Sequence, residues 1–254
     1  MGKNQIKASE NHKICLQLLD KFLEICDKYN IDYYFTEGSA LGAVRHKGFI
    51  PWDYNVDVHL DVKNYYKLDG VMSKENLGEL RWFRPPYRII PFFMRKDSLD
   101  FEIRPNIDIT IMGNAPSNKV MRWLFMNILF LNIKMFKLKN TDVKRKFPYN
   151  VFKLFCSCIP DSLYKSVLKW SMKMDQTFNS KYLTALTPSF YGDSEIIERE
   201  WIGTTPTFGV FEGRKVRLFE KVHEYLTNRY GDYMKPVVWE NKGEYTGCFY
   251  NHKN

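Results

Sequence analysis

The chain has 254 residues, of which 44% are hydrophobic, 16% aromatic and 26% charged. It is therefore long enough to bury a core and rich in the aromatics that fill one, which excludes a disulfide-held miniprotein and a chain disordered throughout. Its 38 Lys and Arg against 29 Asp and Glu give +9, and the excess is local: residues 116–177 carry twelve basic and three acidic residues, while the flanks balance. A basic stretch on a neutral scaffold suits an anionic surface, either a membrane or a nucleic acid. The five cysteines, Cys15, Cys26, Cys156, Cys158 and Cys248, show no repeated metal spacing, and MGKNQIKASE has no apolar leader core. The sequence thus reads as cytoplasmic and thiol-reduced.

Over residues 12–29, Cys15, Leu18, Leu19, Phe22, Leu23 and Cys26 recur at helical spacing, predicting a helix whose buried stripe includes both cysteines. Residues 31–36 are β-branched and aromatic and predict a strand. Glu37-Gly38-Ser39 predicts a turn opening a short helix over 40–46, with Ser39 as its cap. Residues 55–60 alternate polar with apolar, so Asn55, Asp57 and His59 share one face of a strand. Strand-like runs follow at 81–83, 88–93 and 101–112, with Pro85, Pro86 and Pro91 restricting pairing to edges. Within the last run, residues 106–111 alternate again and set Asp108 on a polar face, where a carboxylate among isoleucines needs a cation or hydrogen-bond donors.

Residues 120–138 form a long apolar helix in which Arg122, Asn127, Lys134 and Lys137 fall within about 140° of the circumference, leaving a broad apolar face with Asn132 as its exception. Such interruptions argue against a membrane span; they suit an in-plane interfacial helix or a core helix with a solvated lysine face. Lys165, Lys169 and Lys173 make a second basic stripe beside Trp170. Residues 212–215 predict a hairpin turn, followed by a helix with Phe219, Val222, Leu226 and Tyr230 inward and Gly231 at its end. The chain reads as α/β (α+β): a catalytic core at 1–115, a basic helical insert at 116–177, and 178–254 completing the core.

Three features carry chemistry together: the Gly38-Ser39 turn, the strand face with Asn55 and Asp57, and Asp108. Carboxylates clustered at a sheet end call for a divalent cation, and Mg2+ suits oxygen ligands. A turn opening a helix offers backbone N–H groups to a phosphate, with Arg45, His46 and Lys47 close behind it in sequence. Such a site performs phosphoryl or nucleotidyl transfer. His46 reads equally as a general base and as a loop histidine bonded to backbone.

Residues 31–60, IDYYFTEGSALGAVRHKGFIPWDYNVDVHL, resemble the signature of the LicD family, which includes the fukutin-related proteins: a strand, G-[ST]-L-L-G-A-x-R-H, then F-I-P-W-D-x-D-x-D. FEGRKVRLFEKVHEYLTNRYGDYMKP resembles the family's closing stretch with Y-L-x-x-x-Y-G-D-Y-M. The resemblance spans residues 12–60, 101–112 and 178–238 and leaves 116–177 outside. It implies a nucleotidyltransferase-like mixed sheet with flanking helices. It also implies transfer, dependent on Mg2+ or Mn2+, of a phospho-alcohol from a CDP-alcohol to a hydroxyl of a cell-surface glycan such as lipopolysaccharide, teichoic acid or capsule, with release of CMP. Phosphocholine is the first expectation; ribitol or glycerol phosphate is the alternative.

On that resemblance, Gly38 and Ser39 hold the donor phosphates and Arg45 neutralises the leaving CMP. The metal set is Asp53, Asn55, Asp57 and Asp108, the last as ligand or as the base that activates the acceptor. Asn55 stands where the family pattern has an aspartate. An amide oxygen ligates without charge, so metal affinity falls. Three explanations stay open for it: an engineered trap, natural variation supported by Asp53, or a catalytically inactive binding protein. A nucleotidyltransferase using a nucleoside triphosphate is a competing reading. A nucleic-acid partner is disfavoured, because no RNP-like or helix-turn-helix pattern places the aromatics. A lipid-linked glycan acceptor would make residues 120–173 a peripheral anchor on the anionic inner face of the membrane.

Overall fold

The computed structural model describes residues 7–101, 103–141, 148–188 and 195–235; Cys248 and the last residue of the closing motif, Pro236, lie outside them. Helix α1 (Ala8–Tyr29) turns Cys15, Leu18, Leu19, Phe22 and Cys26 inward and ends at Asn30, whose φ of 51° breaks the helical path. Both cysteines are free and buried. The strand expected over 31–36 contracts to β1 (Tyr34–Phe35), because only these two residues find partners, His59 and Val58. Those partners lie on β2 (Asn55–Asp61), which runs straight into α3 (Val62–Met72). Asp61 caps that helix by accepting the Asn64 N–H at 2.6 Å.

Strands β3 (Leu80–Phe83), β4 (Phe92–Arg95) and β5 (Asn106–Asn114) complete a sheet ordered β1-β2-β5-β4-β3. β2 and β5 pair in parallel and the other pairs are antiparallel. The run expected at 88–93 starts only at Phe92, and the one at 101–112 only at Asn106, since prolines and loop backbone occupy the intervening residues. Val56, Val58 and Leu60 on β2 and Ile107, Ile109 and Ile111 on β5 are fully buried in register. Each such side chain contributes about 1.5–3 kcal/mol by leaving water. The alternate residues carry the polar face.

β5 leads into α4 (Lys119–Lys139), α5 (Tyr149–Cys158) and α6 (Asp161–Asp175), after which β6 (Tyr182–Ala185) pairs with the end of β5 and β7 (Ile196–Glu198) with β6. The helical excursion is pinned where it leaves and returns: Asn114 donates its backbone N–H to Asp175 Oδ1 at 2.6 Å and its side-chain amide to the Asp175 carbonyl at 2.7 Å. On α4 the single apolar face expected from the sequence divides. Phe125, Leu129 and Phe136 pack inward, and Asn132 joins them by donating to the Tyr164 carbonyl at 3.1 Å, while Val120, Leu124, Ile128 and Leu131 stay exposed. Among the described residues no helix is long and apolar enough to cross a membrane.

α7 (Arg199–Ile202) precedes the hairpin of β8 (Thr207–Phe211) and β9 (Arg214–Leu218), whose turn is made by Glu212 and Gly213 at φ 49° and 76°. α8 (Val222–Tyr230) buries Val222, Tyr225 and Leu226 and stops at Gly231, φ 69°. Phe219, expected on this helix, is buried just before it.

Candidate active site

The parallel register sets Asp57 of β2 beside Asp108 of β5, with Asn55 opposite Asn106. Asp53 lies in the turn just before β2, where its N–H bonds the Ile50 carbonyl at 2.8 Å and its Oδ1 accepts the Tyr54 N–H at 3.0 Å. Asp53 and Asp57 converge on Gly38: a β-carbon there would lie 2.5 Å from Asp53 Oδ2 and 3.8 Å from Asp57 Oδ2. Burial raises the pKa of Asp53. Burial also raises that of Asp57, together with the charges of Asp53, Asp108 and Glu37. Asn55 relieves part of this, since its Nδ2 donates to Asp57 Oδ1 at 2.6 Å.

Gly38 belongs to helix α2 (Glu37–Leu41), which passes directly into a π-helical turn, Gly42–His46. The cap is Thr36, not Ser39 as expected. Ser39 is buried within the helix, where its Oγ accepts the Asp57 N–H at 2.8 Å and so ties the turn to β2. Glu37 holds φ 48°, a left-handed conformation that costs a non-glycine residue about 1–2 kcal/mol. Side chains of α8 offset this strain. Arg229 donates to Glu37 Oε2 at 2.7 Å, Tyr230 does so at 3.2 Å, and the Tyr225 hydroxyl accepts the Glu37 N–H at 3.1 Å. Arg229 also meets Glu195 at 3.5 Å, with both side chains 4% exposed. Burial works against the Arg229 charge, but Glu37 and Glu195 outweigh it and hold the guanidinium protonated.

Next to the carboxylates opens a cleft of about 460 Å³. Its walls include Tyr54, Asn55 and Asp108 from β2, its preceding turn and β5, Tyr87, Arg88 and Arg104 from the loops flanking β4, and Lys134 and Lys137 of α4. Arg88 grips Asp108 through both guanidinium nitrogens and lies 4.1 Å over the Phe92 ring. Two residues of this lining carry buried polar atoms that find no hydrogen-bond partner among the described residues, Asn106 Oδ1 and Thr187 Oγ1. The row of cations in this lining, Arg88, Arg104, Lys134 and Lys137, suits a polar anionic ligand.

The expected site residues therefore divide. Asp53, Asn55, Asp57 and Gly38 come together, with Asp108 one strand away and turned toward Arg88. Of the expected site residues only Asn55 and Asp108 line the cleft; Gly38, Ser39, Asp53 and Asp57 lie beside it, and Arg45, His46 and Lys47 are likewise not among the side chains lining it. Arg45 donates to the Tyr233 carbonyl at 2.5 Å, and the Lys47 carbonyl accepts the Glu212 N–H at 2.8 Å. His46 is exposed, with its pKa lowered by partial burial and by the Arg45 charge. His59 is 3% exposed, and burial followed by the Arg229 charge pushes its pKa down to about 3, so it stays neutral and is a poor proton acceptor. Arg88, Arg104, Glu37 and Arg229 were not singled out by motif. Lys134 and Lys137 stood out in the sequence only as a surface stripe.

Among the described residues no three His, Cys, Asp or Glu side chains are grouped to hold one metal ion. The Asp53–Asp57 pair nonetheless fits Mg2+, which keeps its waters and takes one or two carboxylates plus substrate phosphates. Two carboxylates that converge on one glycine are a donor set such an ion stabilises. Gly38→Ala is expected to weaken cation binding at least about tenfold, since the new methyl occupies the space of Asp53 Oδ2; Mg2+ titration by calorimetry measures it.

A family profile described as LicD/FKTN/FKRP, nucleotidyltransferase domain, matches residues 30–152. This span holds the corner and the cleft walls just described, and it extends through α4, beyond the limit drawn by the motifs. The lipopolysaccharide cholinephosphotransferase LicD of Haemophilus influenzae is 26% identical over 251 residues, covering 91% of this chain and 92% of that protein. An uncharacterized protein of Rickettsia prowazekii is 34% identical over 74 residues, 29% of this chain and 28% of its own length. One of Rickettsia typhi is 42% identical over 53 residues, 20% and 17% respectively. With the signature at residues 31–60 built into one acidic corner, a LicD-type nucleotidyltransferase profile over residues 30–152, and similarity to a cholinephosphotransferase along nearly the whole length of both proteins, the chain is similar to the LicD family.

Proposed function

We propose that the protein transfers phosphocholine from CDP-choline to a hydroxyl of a cell-surface glycan, releasing CMP. The observation that carries this reading is the convergence of Asp53 and Asp57 on Gly38, beside a cleft walled by Arg88, Arg104, Lys134 and Lys137. The near full-length similarity to a lipopolysaccharide cholinephosphotransferase supports choline and a glycan of that kind.

Asp53 and Asp57 would hold Mg2+ or Mn2+, which neutralises charge on the donor diphosphate. Lys134 and Lys137 meet the remaining phosphate charge, and Tyr54 and Tyr87 offer ring faces to the base or to the choline ammonium. Asp108 is the carboxylate that lines the cleft, so it receives the proton of the acceptor hydroxyl. Arg88 holds it in place through both guanidinium nitrogens. Phosphoryl transfer needs little more from a protein than this positioning and neutralisation.

Calorimetry with CDP-choline, CDP-ribitol, CDP-glycerol and CTP, each with and without Mg2+ or Mn2+, tests the reading. Metal-dependent preference for CDP-choline is expected; preference for CDP-ribitol or CDP-glycerol would change the alcohol, and preference for CTP would assign nucleotidyl transfer instead. Asn55 offers a second test. Asn55→Asp removes the amide that bonds Asp57 and adds a third carboxylate. Without cation Tm is expected to fall; with Mg2+ it recovers and CMP release rises about tenfold, the scale of one added charged ligand. Unchanged release would mean that Asn55 is no impairment.

A further inference from the structure

We propose that the outer face of α4 and α5 docks on an anionic phospholipid surface. A helix that is apolar on both sides is normally enclosed by protein, yet α4 buries only one side. Val120, Leu124, Ile128 and Leu131 are 43–65% exposed on the other. On α5, which packs against α4, Cys156 alone is buried, and Val151, Phe152, Leu154 and Phe155 are 47–67% exposed. Thirteen of the eighteen large hydrophobic side chains exposed among the described residues fall between 120 and 170. Scattered exposed apolar residues need no explanation, but this concentration does.

Charge identifies the occupant. The same region carries the chain's whole excess of +9, with Lys119 at the start of α4 and Lys165, Lys169 and Lys173 along α6 all exposed. Two copies of such a surface would repel each other. A bilayer rich in anionic lipid supplies both an apolar boundary for the side chains and counter-charge for the lysines. The helices would lie in the interface, since none among the described residues is long and apolar enough to cross. Lys134, three residues after exposed Leu131, lines the cleft; docking would thus set the cleft beside the lipid surface.

The test is flotation of the full chain with vesicles of phosphatidylcholine alone or with added phosphatidylglycerol, together with quenching of Trp123, 56% exposed on α4, by lipids brominated in their acyl chains. Expected results are flotation with phosphatidylglycerol vesicles, weakened by salt, and quenching that is lost in Trp123→Phe. Leu124→Ser with Ile128→Ser, or Leu154→Ser with Phe155→Ser, should reduce binding at least about tenfold while leaving far-ultraviolet circular dichroism unchanged. Absence of flotation at low salt, or no quenching of the unsubstituted chain, overturns the proposal whatever the variants do. A stable dimer in sedimentation that these substitutions dissolve would assign the face to a second copy instead.

Discussion

Replacing Asp57 by asparagine is expected to reduce CMP release by about a thousandfold, equivalent to some 4 kcal/mol of lost transition-state stabilisation, while leaving the protein as stable as before or more so. The two effects separate because the role proposed for the Asp57 carboxylate is met at the expense of folding. Burial and the charges of Asp53, Asp108 and Glu37 raise its pKa, so the native state binds this proton more tightly than the unfolded chain. Stability is then lost as pH rises from the unfolded carboxylate value through the raised native one. The substituted amide has no such proton to lose, and its oxygen can still accept from Asn55. Thermal denaturation between pH 4 and 8 should show a shallower decline in the variant. The stabilisation that Mg2+ gives the unsubstituted protein should be larger at pH 8 than at pH 5, and nearly absent in Asp57→Asn. A variant that binds the cation normally but fails to turn over would place Asp57 outside the cation site.

The second large effect is expected at the far end of the chain. Arg229→Ala should destabilise the protein by about 3–5 kcal/mol, because it leaves Glu37 and Glu195 without their shared guanidinium in a buried setting. Urea denaturation measures the loss. The double variant Glu37→Gln with Arg229→Met should recover part of it by removing the stranded charge as well. Donor binding should remain impaired, since Glu37 φ is then no longer secured and the Gly38 turn loosens. Full recovery of donor binding in the double variant would show that the clasp serves stability alone.

Much of the acidic corner was legible because strand alternation is a local property. Val56, Val58 and Leu60 against Asn55, Asp57 and His59 can be read residue by residue, as can Ile107, Ile109 and Ile111 around Asp108. Gly38 could be read from its turn as a phosphate site but not as the point where the carboxylates meet, and Asp53 followed only from the family signature. What stayed hidden depends on pairings that no spacing records. Arg88 opens a proline-flanked run that reads as a strand, and nothing in that run links it to Asp108 until β4 and β5 bring the two together. Glu37 and Arg229 are 192 residues apart, so neither announces the other. The apolar pattern of α4 was visible, but periodicity alone does not say which part of a helix its neighbours will cover. Ser39 resembled a cap because serine commonly serves as one; a backbone N–H from β2 claimed its hydroxyl instead.

The Glu37–Arg229 clasp also bears on how the protein is made. Synthesis proceeds from the N-terminus, so the signature turn, β2 and β5 have all left the ribosome long before α8 exists. Until then Glu37 has no guanidinium to meet, and its left-handed backbone lacks what secures it. The acidic corner therefore comes into register only when α8 docks, and nascent or prematurely terminated chains would carry the whole signature motif without an assembled corner.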